Sequence, residues 1–419
     1  MACEVEWIPL GDIVNLSSGG TPDKKQPAYW DGEIPWISAK TLTGDTVTTS
    51  NLFITEEGLH AGSKLAPVGS ILLLTRGSGL FKRIPLAIVN APVAYNQDVK
   101  CMTSKVTTIT NEYVFFALKA LSPELTNMLE TTGIGAGKLA TDRLLDMPIP
   151  VLSHDEREKA VSFFSALSRK IMINNRINDY LADFASTVFQ NQASHIEERI
   201  ALFDIADIKY GKGLAKNELV EDGYPVFGGN GQIGFYSKYL YEEPQILISC
   251  RGAASGKVLV SLPKSFITSN SLIIELKDRR YYEYLKQYFM LHQLYDYATG
   301  SAQPQITIDG LRHLTVPYPP FDLIKTLTNQ LKAISDCIYS NDIENQALSR
   351  LRDTLLPKLM SGEIDVSKVD LTQLTNNHLS GCGSFCSVCC PSGLASEFHE
   401  WFREHFFFGY GHLCKADLG

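Results

Sequence analysis

Two β-rich mixed domains and two long helices, an α+β architecture, is what the sequence predicts, and three observations predict it. The 419-residue chain repeats itself: Ile8-Pro-Leu10-Gly-Asp12-Ile13 returns as Ile200-Ala-Leu202-Phe-Asp204-Ile205, an offset of 192 from Asp12 to Asp204. Gly133, Asp142, Leu144 and Pro150 return as Gly300, Asp309, Leu311 and Pro317, and Ala166, Ser168, Ile171, Asn174 and Asn178 return as Ala333, Ser335, Ile338, Asn341 and Asn345, all at an offset of 167. Solenoid periods run about 20–50 residues, so an offset this long duplicates a whole domain plus a helix. The second observation is strand-like runs broken by turn chemistry in both halves. The third is a pair of amphipathic stretches far longer than an ordinary helix.

The first domain is assigned to residues 1–150. Its strand-like runs meet Ser17-Ser-Gly-Gly-Thr-Pro22, Pro35-Trp-Ile-Ser, and Gly69-Ser-Ile-Leu-Leu-Leu-Thr75 followed by Arg76-Gly77-Ser78-Gly79. Tyr113, Phe116, Ala117 and Ala120 predict a helix over about Glu112–Leu121, and Pro148 and Pro150 close the domain. Residues 151–195 change to helical periodicity, from Asp155 to about Gln190, opened by Ser153 with Glu156 three residues on, a capping box. Val161, Phe164, Leu167, Ile171, Leu181, Ala185 and Val188 make its apolar stripe. Asn174 and Asn178 fall on that seam beside Leu181, and Asn341, Asn345 and Leu348 occupy the same places in a second long helix, about Asp322–Leu359 within residues 319–365. Polar residues on such a seam cost stability and fix register. A helix of about 40 residues spans about 60 Å, longer than either domain, so the two helices are expected to pair as an antiparallel coiled coil. The second domain, residues 196–318, repeats the plan: Tyr224-Pro-Val-Phe227 runs into a glycine cluster and Gln245-Ile-Leu-Ile-Ser249 into Arg251-Gly252. Residues 366–419 form a Cys/His-containing tail, an atypical extension.

At 44% hydrophobic and 20% charged residues the chain has the composition of a folded globular protein with sizeable cores, which excludes global disorder. The start, Met1-Ala-Cys-Glu-Val-Glu, is acidic where a secretory signal is basic, and no apolar run approaches about 20 residues, so a cytoplasmic location is expected. A formal charge of −8 argues against a general polyanion binder. Local basic sets remain, at Lys24-Lys25, Arg76, Lys82-Arg83, Lys209, Lys212, Lys216, Arg251 and Lys257, with solvated surface charge as the plain alternative. Cys3, Cys101, Cys250 and Cys337 read as reduced small hydrophobes, and the other five cysteines lie in the tail.

Several motifs approach known chemistry and miss it. Gly229-Asn-Gly231-Gln-Ile-Gly234 fits the dinucleotide pattern, but the β-like Phe235-Tyr-Ser-Lys-Tyr after it offers no helix N-terminus to a pyrophosphate. Gly133-Ile-Gly-Ala-Gly137-Lys138 and Gly252-Ala-Ala-Ser-Gly256-Lys257 are one residue short of a phosphate loop, and Leu139 and Val258 stand where a Mg²⁺-binding hydroxyl is needed. Tyr318-Pro-Pro-Phe321 resembles the Pro-Pro-aromatic loop of amino-methyltransferases without its polar first residue. In the tail, Cys382-x₃-Cys386-x₂-Cys389-Cys390 with His399, His405, His412 and Cys414 has iron–sulfur or zinc-like spacing, after a helix stop at Ser361-Gly362. No nucleophile–His–acid set is present, so the body reads as a binder with no catalytic residue.

The duplicated plan, Tyr224-Pro-Val-Phe-Gly-Gly-Asn-Gly-Gln-Ile-Gly234, Ile246-Leu-Ile-Ser-Cys-Arg-Gly252 and Leu355-Leu-Pro-Lys-Leu-Met-Ser-Gly-Glu-Ile364 together resemble the specificity subunit of a type I restriction-modification system, over about residues 5–365. The resemblance implies two target recognition domains about a pseudo-two-fold axis, each reading half of a split, asymmetric DNA site. The helices would be spacer and docking surface for two adenine-N6 methyltransferase subunits, with restriction subunits as further partners. S-adenosylmethionine, ATP and Mg²⁺ would belong to those partners, with no cofactor or metal in this chain. Side chains able to bond base edges, Arg76, Gln97, Asn230, Gln232, Arg251, Asn270, Gln303 and Gln305, are the candidates for base contact. Lys24, Lys25, Lys82, Lys138, Lys212, Lys216 and Lys257 are the candidates for the phosphate backbone. Two other classes of function stay open on residues alone: a helical assembly scaffold without sequence readout, and a metal-binding protein working through the tail cysteines.

Overall fold

The computed structural model describes residues 5–133, 135–193, 195–300 and 303–364. These fall into two compact units, one running to Ile173 and resuming at Ile343, the other Asn174–Asp342. Four helices frame the cores: α1 (Asn111–Ala120), α2 (His154–Ala193), α3 (Tyr282–Leu291) and α4 (Phe321–Met360). Each unit owns part of α2 and part of α4. Thr110 caps α1 by accepting from the Tyr113 amide at 3.2 Å. At the start of α2, Ser153 N–H donates to Glu156 Oε2 at 3.2 Å, and the Ser153 hydroxyl donates to the same oxygen at 2.7 Å. At the end of α4, Gly362 takes φ 73° and its amide bonds Leu359 O at 3.2 Å, a left-handed stop suited to glycine.

In the first unit the main sheet comprises β1 (Val14–Ser18), β2 (Thr46–Val47), β3 (Ile71–Leu74), β4 (Leu86–Val89) and β5 (Val99–Ser104), in the order β1-β5-β3-β4-β2. Side chains alternate across β3. Ile71 and Leu73 enter a core with α1 and with Phe163, Phe164, Leu167, Leu356 and Leu359 of the long helices, whereas Leu72 and Leu74 face the core shared with a second sheet. Both faces are covered, so the strand reads as an unbroken apolar run. The second unit repeats this with β6 (Ala206–Tyr210), β7 (Ile246–Ser249), β8 (Val258–Val260) and β9 (Ser271–Leu276), order β6-β9-β7-β8. Ile246 and Ile248 pack toward α3 and the long helices, and Leu247 toward the smaller sheet.

The long helices run antiparallel inside each unit. In the second, Leu181, Ala185 and Val188 of α2 bury with Leu327, Leu331 and Ile334 of α4, while Asn341 Nδ2 donates to Asn178 Oδ1 at 2.7 Å and Gln192 Nε2 to Gln330 Oε1 at 3.4 Å. Asn178 Nδ2 donates in turn to Asp342 Oδ1 at 2.8 Å, and Asn174 is 1% exposed. In the first, Lys170 pairs with Glu344 at 3.1 Å, and Leu348 lies half-buried against the core. Asn345 is half-buried as well. The apolar stripe of α2 differs from expectation near its start, where Phe163 is buried and Val161 only partly so.

Candidate nucleic-acid interface

Each unit folds three distant segments into one small frame at the end of its main sheet. In the first, β1 exits through Gly19 and Gly20, and the Gly20 amide bonds Tyr95 O at 2.9 Å. A side chain at Gly19 would put its Cβ 2.0 Å from Tyr95 O, so the two backbones pass too closely for anything but glycine. β3 exits through Thr75, whose amide bonds Asp98 O at 2.8 Å and whose carbonyl accepts from the Leu139 amide at 2.8 Å. That register places Arg76 directly opposite Lys138, with Glu130 opposite Lys138 on its other side.

The second unit builds the same frame from different residues. The Lys212 amide bonds Ile267 O at 2.9 Å, and a Cβ at Gly211 would stand 2.2 Å from Thr268 O. β7 exits through Cys250, whose amide bonds Asn270 O at 3.0 Å and whose carbonyl accepts from the Ile306 amide at 3.1 Å. Arg251 is thereby paired with Gln305, which exchanges two 2.8 Å backbone bonds with Thr299. Lys257 Nζ donates to Asn230 Oδ1 at 2.8 Å, drawing in the turn of the Tyr224–Gly228/Gly231–Tyr236 hairpin.

Arg251, Gln305, Asn270, Lys257, Asn230 and Lys212 thus meet in one loop cluster. Gln303 adjoins it through Pro304, whose carbonyl accepts from the Gly252 amide at 3.0 Å, and Gln232 sits exposed on the hairpin. Lys216 lies apart, exposed on the 3₁₀ turn Lys216–Glu218. In the first unit Arg76 and Lys138 meet, and Gln97 Oε1 accepts from Thr21 Oγ1 at 2.6 Å, tying Gln97 to the loop that carries Lys24 and Lys25. Lys82 is exposed at the end of the Ser78–Phe81 turn, and its backbone amide bonds Gly79 O at 3.0 Å within that turn.

Sequence reasoning passed over Lys100, on β5. Burial holds its ammonium below the usual lysine range, against the opposing pull of Asp98, and Nζ contacts the Ser18 hydroxyl. It reads as an ordinary surface lysine on an alternating strand, so no signal marked it. Burial pushes the Cys250 thiol up, with Arg251 opposing, which suits a packed thiol and not a nucleophile.

The near-miss motifs resolve structurally. Gly229–Gly234 is a hairpin turn and strand, Gly252–Lys257 leads into β8, and neither opens a helix. Tyr318 of the Pro-Pro-aromatic loop stacks on Tyr281 at 4.0 Å, whose hydroxyl donates to Pro319 O at 2.8 Å, so that loop is packing. Among the described residues no cluster of His, Cys, Asp or Glu could hold a metal, and the tail cysteines lie outside those residues. No helix among the described residues is long and apolar enough to cross a membrane.

Comparison with known proteins bears on this duplicated frame. The specificity subunit of the type I restriction enzyme MjaIX of Methanocaldococcus jannaschii is 24% identical over 410 residues, covering 86% of this chain and 93% of its own. That of EcoprrI of Escherichia coli is 23% identical, covering 79% and 90%. That of EcoR124I/EcoR124II, also of Escherichia coli, is 31% identical over 193 residues, 43% of this chain and 48% of that protein. The crystal structure of a type I restriction-modification S subunit from M. genitalium shares the fold, with a TM-score of 0.51 at 18% identity over 85% of this chain and 96% of that one. The family model for the type I restriction modification DNA specificity domain matches residues 4–182 and again 198–351, so the chain belongs to that family.

Proposed function

We propose that this chain is the non-catalytic specificity subunit of a type I restriction-modification complex, reading a bipartite, asymmetric site on double-stranded DNA. The observation that carries this is the double match of the DNA specificity domain, once to each unit, over one backbone frame dressed with different side chains. Two methyltransferase subunits, and restriction subunits beside them, are its proposed partners, and the long helices their docking surface. S-adenosylmethionine, ATP and Mg²⁺ act on those partners, with none held here, and the complex works in the cytoplasm. The DNA-contact set is the two loop clusters: Arg76, Lys138, Gln97, Lys24, Lys25 and Lys82 in the first unit, and Lys212, Lys216, Asn230, Gln232, Arg251, Lys257, Asn270, Gln303 and Gln305 in the second. Asn174, Asn178, Leu181, Asn341, Asn345 and Leu348 set the helix register.

Co-expression of the chain with its methyltransferase, followed by mapping of N6-methyladenine across the host genome, tests this. A split motif whose halves change separately when one unit or the other is exchanged is the expected result. Assembly without sequence-dependent methylation would refute it in favour of a scaffold.

A further inference from the structure

The two frames can be superposed residue on residue through their hydrogen bonds, and the correspondence separates what the units share from what they do not. Gly20 to Tyr95 O matches Lys212 to Ile267 O; Thr75 to Asp98 O matches Cys250 to Asn270 O; Leu139 to Thr75 O matches Ile306 to Cys250 O. Arg76 therefore corresponds to Arg251, and Lys138 to Gln305, at the same offset of 167 that relates Asp142 to Asp309. In both units the bonds that fix this pairing flank it, so the paired residues are a non-hydrogen-bonded antiparallel pair, the kind whose side chains lie on one face and closest together. Each frame thus presents a row of three, Glu130–Lys138–Arg76 in one and Thr299–Gln305–Arg251 in the other.

The arginine is common to both rows, and its neighbours are not. Two units that read different half-sites on a common frame need the shared residue for what the half-sites share, the phosphate backbone, and the differing residue for what distinguishes them. The chemistry agrees. A glutamine amide offers the donor and acceptor that match adenine N7 and N6, and a lysine ammonium offers donors that match guanine O6 and N7. Gln305 and Arg251 are both exposed, and Lys138 is half-exposed. We infer that Gln305 and Lys138 are the specificity-determining residues of this row, one per half-site, and that Arg251 and Arg76 beside them hold the backbone. This rests on the DNA-reading role proposed above, and sharpens it to two positions.

The test is the exchange Gln305→Lys and, separately, Lys138→Gln, each in the full chain co-expressed with the methyltransferase and read by N6-methyladenine mapping alongside the parent. Gln305→Lys should change the preferred base at one position of one half-site, by at least about tenfold in relative methylation, and leave the other half unchanged. Lys138→Gln should do the reciprocal in the other half, which keeps the test decisive where one variant assembles poorly. A parent motif kept unchanged in both variants, or methylated uniformly less at the same sequence, overturns the inference while leaving the specificity-subunit reading in place. A parent that methylates no split motif overturns both.

Discussion

Gly211→Ala is the most direct probe of the frame. The added methyl would stand 2.2 Å from Thr268 O, 2.5 Å from Ile267 O and 2.6 Å from Thr268 C, all backbone atoms that cannot swing aside. Ordinary contact is more than an ångström longer, so the two segments must separate. Three backbone bonds hold them together there: Gly211 to Ser271 O at 3.0 Å, Lys212 to Ile267 O at 2.9 Å and Ser269 to Lys212 O at 3.0 Å. At about 0.5–1.5 kcal/mol net for each bond, their loss costs about 3 kcal/mol. For a unit of this size that corresponds to a fall in melting temperature of roughly 6–12 °C. Calorimetry of the full chain measures it, and methylation mapping should show one half-site degraded and the other intact. A variant melting within about 1 °C of the parent would refute the close-approach argument, because nothing else at that position could absorb the methyl so cheaply.

Alanine at Asn178 and at Asn341 should each lower stability by about 1–2 kcal/mol, and the double variant by clearly less than the sum, since both lose one shared bond of 2.7 Å; additivity in a double-mutant cycle would deny the coupling. Asp342→Asn should stabilise the chain at neutral pH. Burial raises the Asp342 carboxyl above its ordinary 3.8, with the bond from Asn178 opposing, so the ionised form penalises the folded state and stability falls as pH rises from 3.8 through the folded value. The advantage of the variant should be present at pH 7 and vanish below 3.8, and equal melting temperatures at both would contradict it. Removal of residues 366–419 should leave the methylation motif unchanged and the metal content of the purified protein at zero; loss of a bound metal and of activity together would revive the tail-centred reading.

What the sequence made legible is what the core constrains. Leu10 and Leu202 are both fully buried, and their amides bond Met147 O and Leu314 O, each at 2.9 Å. Leu144 and Leu311 are buried to the same degree beside them, so the echoed segments are two copies of one anchor, each alike in its internal spacing although the stretch between them differs in length. The pairing of Arg76 with Lys138 was not legible. It depends on cross-strand register across more than sixty positions, set by backbone bonds that no side-chain pattern announces. Lys105 and Lys277 were missed for a related reason. Their ammonium groups reach back to the carbonyls of Gly11, at 2.6 Å, and of Phe203 and Asp204, at 3.2 and 3.0 Å, so two residues that look like solvated charge in fact hold the same turn in both units.

The offsets between the units show where the scaffold tolerates change. Gly19 and Gly211 differ by 192 positions, Arg76 and Arg251 by 175, Tyr95 and Ile267 by 172, and Lys138 and Gln305 by 167. Most of the drift therefore falls between the exit of the first sheet strand and the arginine, the stretch that in the first unit carries Trp30–Ile37, Phe53–Ile54 and the helix Glu56–Gly62 and in the second the Tyr224–Tyr236 hairpin. In the first unit Ile37, Leu42, Val47 and Ala66 of that stretch pack on Leu72 and Leu74 of the main sheet, and Trp36 and Ile54 on Ala94; in the second, Phe227 packs with Leu247, Ile267 and Ile273. The helix-facing cores use the opposite sides of the same sheet strands. An insert can therefore be lengthened or rebuilt without cavities opening in the core that holds the long helices, provided the glycine at its entry and the paired row at its exit are kept. A frame pinned at those two points, with its variable surface packed on a separate core, is what allows two units of one chain to differ in what they read while sharing how they fold.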